Sequence, residues 1–321
     1  MMSVKQQKLA NLCIRRLYGL LYFFILMGFM GGCAVAPKKL FIKDLAASYD
    51  QGTIIATQTK AAVSFEDLMA DLSRVRVIYV GEQHHDPAHH KIQLDIIKAV
   101  FKTHPDIAVG MEMFDQTYQP ILNLWSAGEL DQASFLEKAH WYANWKFDFD
   151  MYKDILEFIR EKKLRLIGLN IPFHIPPKIA VGGLSNLSAS DKKHLPEDID
   201  TSNNAHRAYV EQIFKFHHVR GRANFEYFYE AQCVWEDTMA SAVARNIENG
   251  KMVVLAGNGH IIRKFGIPDR AFRRTGAAFR TICPATVGSE IESDYADYIW
   301  VTPARKSPKT IRAKTDKKRP R

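Results

Sequence analysis

Short apolar runs alternate with helical patterns along most of this 321-residue chain, and this alternation limits the fold more than any other feature of the sequence. The runs lack a regular apolar–polar alternation, which is typical of parallel strands buried on both faces. Because strands that alternate with helices build α/β domains, we predict an α/β fold with a mostly parallel sheet flanked by helices. The predicted strands are Val75–Val80, Ile107–Met111, Leu164–Leu169, Met252–Ala256, Ala278–Cys283 and Tyr298–Thr302.

Two stretches between these strands, near 114–152 and 172–240, are longer than a simple crossover connection. Both are polar and aromatic with helical patterns, so we predict helical insertions that form a smaller helical subdomain over one end of the sheet. Ser64 begins a capping-box pattern that predicts the first helix of the domain. We place the whole α/β domain, with its insertions, at residues 61–304.

The first 33 residues have the pattern of a bacterial export signal. Four basic residues without an acidic one precede an apolar run that is short for a membrane span. Small residues then precede Cys33, as in a lipobox whose cysteine receives a lipid. We predict a signal peptide at 1–32, an anchor and tether at 33–60, and a protein held by lipid on Cys33. Because no aspartate follows Cys33, we expect the outer membrane, facing the periplasm; an uncleaved N-terminal anchor is the alternative.

The formal net charge of +9 belongs to the two ends of the chain. The leader carries four unopposed cations, and residues 305–321 carry nine Lys or Arg against Asp316 alone, so the body between them is slightly acidic. The folded part therefore offers no basic surface that indicates a nucleic acid partner. The basic tail is predicted to be disordered, either as a solvated segment or as one attracted to anionic phospholipid.

Two cysteines, Cys233 and Cys283, remain beyond the leader and Cys33. An oxidising periplasm permits a disulfide between them. Two cysteines this far apart in sequence are also often separate buried thiols, and the sequence favours neither interpretation.

Polar side chains follow the predicted strands where each strand ends. Two strands end in the same plan of glycine, two residues and histidine, with the glycines Gly81 and Gly257 expected to turn the backbone sharply. Since ligands in open α/β sheets bind outside the carboxyl ends of the strands, we expect these side chains to converge there and to bind a divalent metal or perform acid–base chemistry. They are Glu82, His84, His85, Glu112, Asn170 and His260.

The histidine-rich run after Gly81 continues to His90. His85 and His89 are four residues apart and would share one face of a helix, which is an arrangement that metal sites use. The second interpretation, which we favour for His89 and His90, is that Asp86 caps a helix and both histidines face solvent.

Four aromatic residues, Trp141, Trp145, Phe149 and Tyr152, recur at helical spacing. Such a stripe is more often part of a hydrophobic core, and the spacing alone favours that interpretation. The functional alternative is an apolar wall for a flat ligand, with a tyrosine that can ligate haem iron.

Taken together, these motifs resemble the ChaN-like haem-binding lipoprotein family, within the Tiki and erythromycin-esterase-like superfamily. They follow the family's order over about residues 62–285, which is most of the mature chain. The resemblance implies an α/β domain with a smaller helical domain, and haem uptake or storage at the outer membrane. The matching segments are Gly81–Asp86 with His89 and His90, Met111–Phe114, Trp141 and Trp145 with Tyr152, Gly168–Pro172, Trp235–Ala240, and Ala256–His260 with Gly266–Pro268.

For haem binding, the resemblance points to Tyr152, His85, Trp145 and Asn170, with Tyr152 or a nearby histidine as the iron ligand. A single ligand per chain would leave one axial face of the iron open. A homodimer with two haems face to face is therefore one expectation, and a haem receptor is a second expected partner.

Other members of the superfamily look like hydrolases that use the two histidine motifs and glutamates, in some cases with a divalent metal. In this sequence Glu82, His84, Glu112 and His260 would then be catalytic, and Glu82, His84 and His260 would hold the metal. A divalent-metal-dependent hydrolase is therefore the alternative function. The sequence departs from the family pattern at Glu236, where we expect an aspartate after the tryptophan.

Overall fold

The computed structural model describes residues 38–216, 224–247 and 250–304. The predicted signal peptide at 1–32, the lipid site at Cys33 and the basic tail at 305–321 lie outside these ranges. The strands and helices below therefore belong to the predicted α/β domain and to the segment directly before it.

Eleven strands form two sheets within the described ranges, and the larger sheet has eight strands in the order β4-β3-β11-β9-β5-β8-β6-β7. The six strands from β11 to β7 run parallel to one another. At the other end of the sheet, β3 pairs antiparallel with β11, and β4 pairs antiparallel with β3. This arrangement confirms the predicted α/β fold with its mostly parallel sheet. The strands are β1 (Leu40–Ile42), β2 (Ala47–Tyr49), β3 (Ile54–Ala56), β4 (Ala61–Val63), β5 (Val77–Glu82), β6 (Ala108–Asp115), β7 (Arg165–Asn170), β8 (Met252–Gly257), β9 (Phe279–Thr286), β10 (Glu290–Ile291) and β11 (Tyr298–Thr302).

The smaller sheet has the order β10-β1-β2 and includes residues that we predicted to be a tether. That prediction, for 33–60, is wrong for residues 40–49, because β1 and β2 form there, whereas β3 forms where the sequence predicts a short strand at Thr53–Thr57. β1 pairs in parallel with β10, with Phe41 opposite Glu290. Leu40 and Ile42 are fully buried in a cluster with β11. β1 and β2 show too little periodicity to be predicted, and β1 depends on β10, a partner far along the chain.

Helices cover both faces of the larger sheet. The first of them begins as predicted, because the Ser64 hydroxyl accepts from the Asp67 N–H and the Asp67 carboxylate accepts from the Ser64 N–H. None of the described helices has the length and apolar character needed to cross a membrane. The helices are α1 (Phe65–Leu72), α2 (Pro87–Thr103), α3 (Gln119–Ala127), α4 (Gln132–Lys138), α5 (Trp141–Asn144), α6 (Lys153–Glu161), α7 (Ile175–Gly182), α8 (Ala189–Lys192), α9 (Asn204–Phe216), α10 (Phe225–Asn246) and α11 (Ile267–Thr275).

The central strands bury side chains on both faces, which explains their uniformly apolar sequences. In β5, Ile78 and Val80 pack into the cluster formed with α2, α3 and α6, whereas Val77 and Tyr79 pack into the cluster formed with α10 and α11. Each fully buried aliphatic side chain of this kind contributes about 1.5–3 kcal/mol. The result is a rigid three-layer support for residues at the carboxyl ends of the strands.

The two cysteines of the domain are separate buried thiols and form no disulfide. Cys233 lies on α10, where its sulfur is 3.3 Å from the Arg270 guanidinium. Cys283 lies in β9. Of the two alternatives that the sequence left open, the structure therefore shows the buried thiols.

Candidate functional site

Four neighbouring strands, β5, β8, β6 and β7, bring polar residues together at their carboxyl ends. Glu82 ends β5 and lies opposite Gly257, the last residue of β8. Glu112 lies within β6, and its carboxylate accepts a hydrogen bond from the Gly257 backbone N–H at 2.6 Å. Asn170 ends β7 and donates from its side chain to the Glu112 carbonyl at 2.8 Å. The sheet thus fixes two carboxylates on either side of β8.

Gly81 and Gly257 are required for close packing and not for a sharp turn. Neither residue has a positive φ, and φ of Gly257 is −57°. A Cβ on Gly81 would lie 2.0 Å from the Asn258 Oδ1 atom, and one on Gly257 would lie 2.9 Å from the His84 Cε1 atom. Each glycine makes room for a side chain of the other motif. Our expectation of sharply turning glycines was therefore wrong.

The buried Glu82 carboxylate is the centre of the first half of the site. Its Oε1 accepts from the Tyr152 hydroxyl at 2.6 Å and from His84 Nδ1 at 2.7 Å. Its Oε2 accepts from the Gln93 amide at 2.8 Å and lies 3.3 Å from His90 Nε2. Burial alone would raise the pKa of Glu82, but the hydrogen bond from His84 and the His90 imidazole hold it well below its usual range.

His84 is partly exposed, with 28% of its side chain accessible. Its ring packs against Trp145 and Phe147, with ring centroids 4.8 and 5.0 Å away. Burial opposes its charge, but the hydrogen bond with Glu82 and the charge on Glu112 raise the pKa of His84 above its ordinary value. Because Nδ1 is bound to Glu82, Nε2 is the nitrogen that can exchange a proton with a ligand.

His260 lies between two carboxylates in the second half of the site. Its Nε2 is 3.5 Å from a Glu112 oxygen, and its Nδ1 is 3.3 Å from Glu236 Oε1. Burial alone would lower the pKa of His260, but the charges and hydrogen bonds of Glu112 and Glu236 raise it to about 10. At neutral pH this imidazole is therefore a fixed cation, whereas His84 is the more accessible base.

Glu236 is the site residue whose importance the sequence reasoning missed. It is fully buried on α10 and contacts His260, the Gln232 amide at 2.6 Å and His206 Nε2 at 3.2 Å. Arg270 Nε lies 3.5 Å from it, and Arg270 also binds Asp237. The spacing of Gln232 and Glu236, four residues apart on a helix, was the local signal that one polar face points inward.

His89 and His90 are buried, so our prediction that they face solvent was wrong. Asp86 does cap α2, accepting from the Ala88 N–H at 3.0 Å. The helix then turns both imidazoles towards the sheet: His89 Nδ1 accepts from the Gln83 N–H at 2.9 Å, and His90 lies beside Glu82. The local sequence does not show this, because the imidazoles are buried by contacts with Gln83 and Glu82 on β5 and the turn after it.

The metal site predicted at Glu82, His84 and His260 does not form in this structure. Within residues 38–216, 224–247 and 250–304, no three histidine, cysteine or acidic side chains are arranged to hold a metal ion. His84 is turned to Glu82, and His260 is turned to Glu112 and Glu236.

Three of the four residues that the resemblance placed at the haem are buried. Tyr152 and Trp145 belong to the hydrophobic cluster around α2 and α6, so the core interpretation of the aromatic stripe holds. Tyr152 is fully buried with its hydroxyl bound to Glu82, and Asn170 holds the backbone of β6. His85 is exposed. Because the Tyr152 hydroxyl is bound to Glu82, its role as iron ligand stays a prediction.

An open cleft of about 530 Å³ lies beside the aromatic segment. Its borders are α5, the turn Gln116–Tyr118 directly before α3, and the loop that follows β7. Tyr142, on α5 next to the cleft, is 63% exposed. A small apolar slot between α7 and α10 shares Phe173 with the cleft and leads towards Trp235 and Gln232. The cleft is lined by Asp115, Thr117, Tyr118, Ala143, Asn144, Pro172, Phe173, His174 and His194.

Comparisons with known proteins agree with this fold. A family described as haem-binding uptake, Tiki superfamily, ChaN matches residues 68–271, which is more than half of the chain. ChaN of Campylobacter jejuni, solved with cofacial haem binding, superimposes with a TM-score of 0.63 at 20% identity, over 77% of this chain and 95% of that chain. A mutant of the erythromycin esterase EreC in its open conformation gives a TM-score of 0.45 at 14% identity, over 74% of this chain and 77% of that chain.

A comparison with curated proteins finds no match. The family match spans the strands and helices that build the site, from α1 to α11, and the structural match to the Campylobacter protein shows the same fold. This chain therefore belongs to the ChaN family of haem-binding uptake proteins in the Tiki superfamily.

Proposed function

We propose that this chain binds haem in the open cleft beside α5, in the service of haem uptake or storage. Its family supports haem as the ligand. The observation that carries the location is the cleft itself, whose volume of about 530 Å³ falls within the range of about 300–1,000 Å³ that small-molecule and cofactor sites occupy. Phe173 and Pro172 offer apolar contact, and His174 and His194 offer polar contact at the same cleft.

Tyr142, which directly precedes the cleft-lining residues Ala143 and Asn144, is our candidate for the iron ligand, because Tyr118, which itself lines the cleft, has its hydroxyl hydrogen-bonded to His140 at 2.9 Å. A tyrosine ligand has to present its hydroxyl to the iron. Tyr152 would first have to leave its hydrogen bond with Glu82 and its buried position, whereas the side chain of Tyr142 is already exposed. Bound haem would supply an iron centre held through one residue of the chain. We expect such a chain to pair with a second copy of itself, or to pass its haem to a receptor.

The experiment is a haem titration of the purified protein, followed by the Soret band. Wild-type protein should give a saturable spectrum with about one haem per chain. Tyr142→Phe should remove or shift that spectrum, while Tyr152→Phe, the matched control, should leave it unchanged. A spectrum lost only in Tyr152→Phe would contradict the ligand assignment, and the absence of any saturable spectrum would overturn haem binding.

The location of the protein is a further part of this proposal. We infer that lipid on Cys33 holds the mature chain at the outer membrane, facing the periplasm, where a haem carrier would meet its ligand. The export pattern of the first 33 residues supports this inference. Cys33→Ala should stop processing and move the protein from the membrane fraction to the soluble fraction. Unchanged fractionation of the variant would contradict the lipid anchor.

A second candidate function is hydrolysis with His84 as general base, and one observation favours it. Glu82 holds the Nδ1 side of His84 while the ring remains partly exposed, which is how a carboxylate orients a catalytic histidine. The fixed cation His260 lies just beyond the end of β8, where it can stabilise a negative charge that develops on a substrate. In this arrangement the acid–base chemistry depends on side chains that the structure shows in place.

Hydrolysis can be tested with an activated ester such as p-nitrophenyl acetate. His84→Gln should reduce kcat by about 10²-fold or more if His84 is the base. The exposed neighbour His85 offers the control, because His85→Gln keeps Glu82 and His84 intact. Equal turnover by wild type and by His84→Gln would exclude this candidate without affecting the haem proposal.

A further inference from the structure

The outer edge of the larger sheet is closed to another strand. β7 is the last strand, and its outward backbone groups are bound by side chains of α3. The Gln119 amide donates to the Leu166 carbonyl at 2.8 Å and accepts from the Gly168 N–H at 3.0 Å. The Ser126 hydroxyl accepts from the Leu166 N–H at 3.2 Å. Because these bonds occupy the edge, a peptide that adds a strand there has no backbone partners.

Outside this edge, between α3 and the end of α10, lies a groove of about 570 Å³. A second hollow of about 260 Å³ continues from it towards the start of the loop after β7, and Gln116 and Arg245 line both. The combined space is far larger than a single inorganic anion needs. The first hollow is lined by Gln116, Gln119, Asn123, Ser126, Ala127, Lys163, Arg165, Ile167, Gly168, Ala242, Arg245 and Asn246.

The lysine and arginine side chains that line this groove are not balanced by any acidic side chain in its lining. Lys163, Arg165 and Arg245 line the first hollow, and Lys193 lines the second, whereas no carboxylate lines either of them. Among the described residues none of these four cations forms a salt bridge, although many cations elsewhere on the surface pair with carboxylates. Four cations without a carboxylate partner, in a concave surface, attract an anion more strongly than the same charges on a convex face.

Arg245 is held in position before any ligand arrives. Its guanidinium donates to the Ser241 hydroxyl at 2.7 Å and to the Gln116 side-chain oxygen at 2.6 Å. Gln116 is itself fixed by donating to the Leu169 carbonyl at 3.0 Å. A guanidinium held in this way loses less side-chain entropy on binding, and its planar fork matches the oxygens of a phosphate.

Two asparagine side chains that can bind hydroxyl groups line the same hollow as these cations. Asn123 accepts from Gln119 through Oδ1, which leaves its amide N–H groups to donate, and Asn246 donates to the Ala242 carbonyl, which leaves its Oδ1 to accept. We propose that this groove binds a phosphorylated sugar, either free or as the headgroup of a lipid. The cations bind the phosphate and the carboxamides bind the sugar hydroxyls.

The test measures binding to the full chain by calorimetry, with glucose 6-phosphate, glucose and inorganic phosphate as separate probes. Glucose 6-phosphate should bind at least about tenfold more tightly than either fragment, since a single charge-assisted hydrogen bond is worth about that much. The paired variant Lys163→Gln with Arg165→Gln should weaken binding about tenfold or more. Both side chains are exposed and have no hydrogen-bond partner among the described residues, so the variant should keep its fold.

Lys102→Gln is the matched control, because Lys102 is an exposed cation on α2 that lines neither hollow. Phosphatidylcholine vesicles with and without lipid A, a phosphorylated disaccharide lipid, distinguish the two sources of the ligand. Capture by the lipid A vesicles assigns the groove to a headgroup, and binding of glucose 6-phosphate alone assigns it to a free sugar. The proposal is overturned if neither probe binds, or if the paired variant and Lys102→Gln bind equally.

Discussion

The two glycine–histidine motifs follow the same sequence plan on neighbouring strands, but their histidines lie in opposite surroundings. His84 contacts one hydrogen-bonded carboxylate and keeps 28% of its side chain exposed. His260 lies almost buried between Glu112 and Glu236. The difference comes from what packs over each motif: α10 carries Glu236 onto His260, while the aromatic segment only partly covers His84. Helices outside the motif therefore decide how exposed its histidine is and how many carboxylates surround it.

The largest expected effect is that of His260→Gln on stability. Removing this cation leaves Glu112 and Glu236 buried without their shared partner, which should lower the free energy of unfolding by about 3–5 kcal/mol. His84→Gln is the matched change in the other motif, and it should cost less than about 1 kcal/mol. Glu82 keeps Tyr152 and Gln93 as donors in that variant. Urea denaturation of both proteins measures the difference, and equal losses would contradict the asymmetry.

The second prediction concerns pH. The pKa of His260 is about 10 in the folded protein, against an ordinary value of 6.5, so between these values the folded state holds a proton that the unfolded state has lost. Its stabilising contribution is complete below about pH 6.5 and disappears as the pH rises through 10. This one group should lower the free energy of unfolding by roughly 1.4 kcal/mol per pH unit between pH 7 and 9.

Urea denaturation at several pH values measures this slope, and the slope in His260→Gln should be smaller by the stated amount. An independent check is NMR of the histidine rings in the wild-type protein. His260 should remain an imidazolium at pH 8, and His84 should lose its proton first. Loss of the His260 proton near pH 6.5 would contradict the arrangement of two carboxylates around it.

Local sequence patterns predicted the strands and the residues at their ends. Three polar residues meet at one edge of the sheet because each follows an apolar strand, and parallel strands end at the same edge. They are Glu82, Glu112 and Asn170. Glu236 and His206 reach the same site from α10 and α9. Their positions depend on how helices pack over the sheet, which no single segment encodes.

Burial was the second property that the sequence did not reveal. His89 and His90 occur in a polar stretch of the chain, yet both are buried. His90 lies beside the buried Glu82 carboxylate, whereas His89 accepts from the Gln83 N–H and lies 3.3 Å from the Thr302 hydroxyl. These contacts arise only when β5 meets α2 and β11, so no local pattern in the sequence announces them.

Tyr152→Phe tests the hydrogen bonds of Glu82 at the first motif, and its effect on stability should be smaller than that of His260→Gln. The change deletes a buried hydroxyl that donates to the Glu82 carboxylate at 2.6 Å. Hydrogen bonds to charged groups contribute about 1.5–3 kcal/mol, and Glu82 keeps two other donors, so a loss of about 2 kcal/mol is expected. Thermal or urea denaturation measures it. Tyr142→Phe is the control, because its exposed side chain should change stability by less than about 0.5 kcal/mol.

The smallest effect is expected from Glu236→Asp, which places at the second motif the residue that the family resemblance led us to expect. The shorter side chain keeps the charge between His260 and Arg270 but shortens its reach by one methylene, so one of its contacts to Gln232, His206 or His260 must lengthen. Because the charge pairing survives, the free energy of unfolding should fall by only about 1 kcal/mol. Glu236→Gln removes the charge and should cost more, and it should also lower the pKa of His260 as followed by NMR. If aspartate and glutamine lower stability and the His260 pKa equally, the length of Glu236, and not its charge, makes the second histidine a fixed cation.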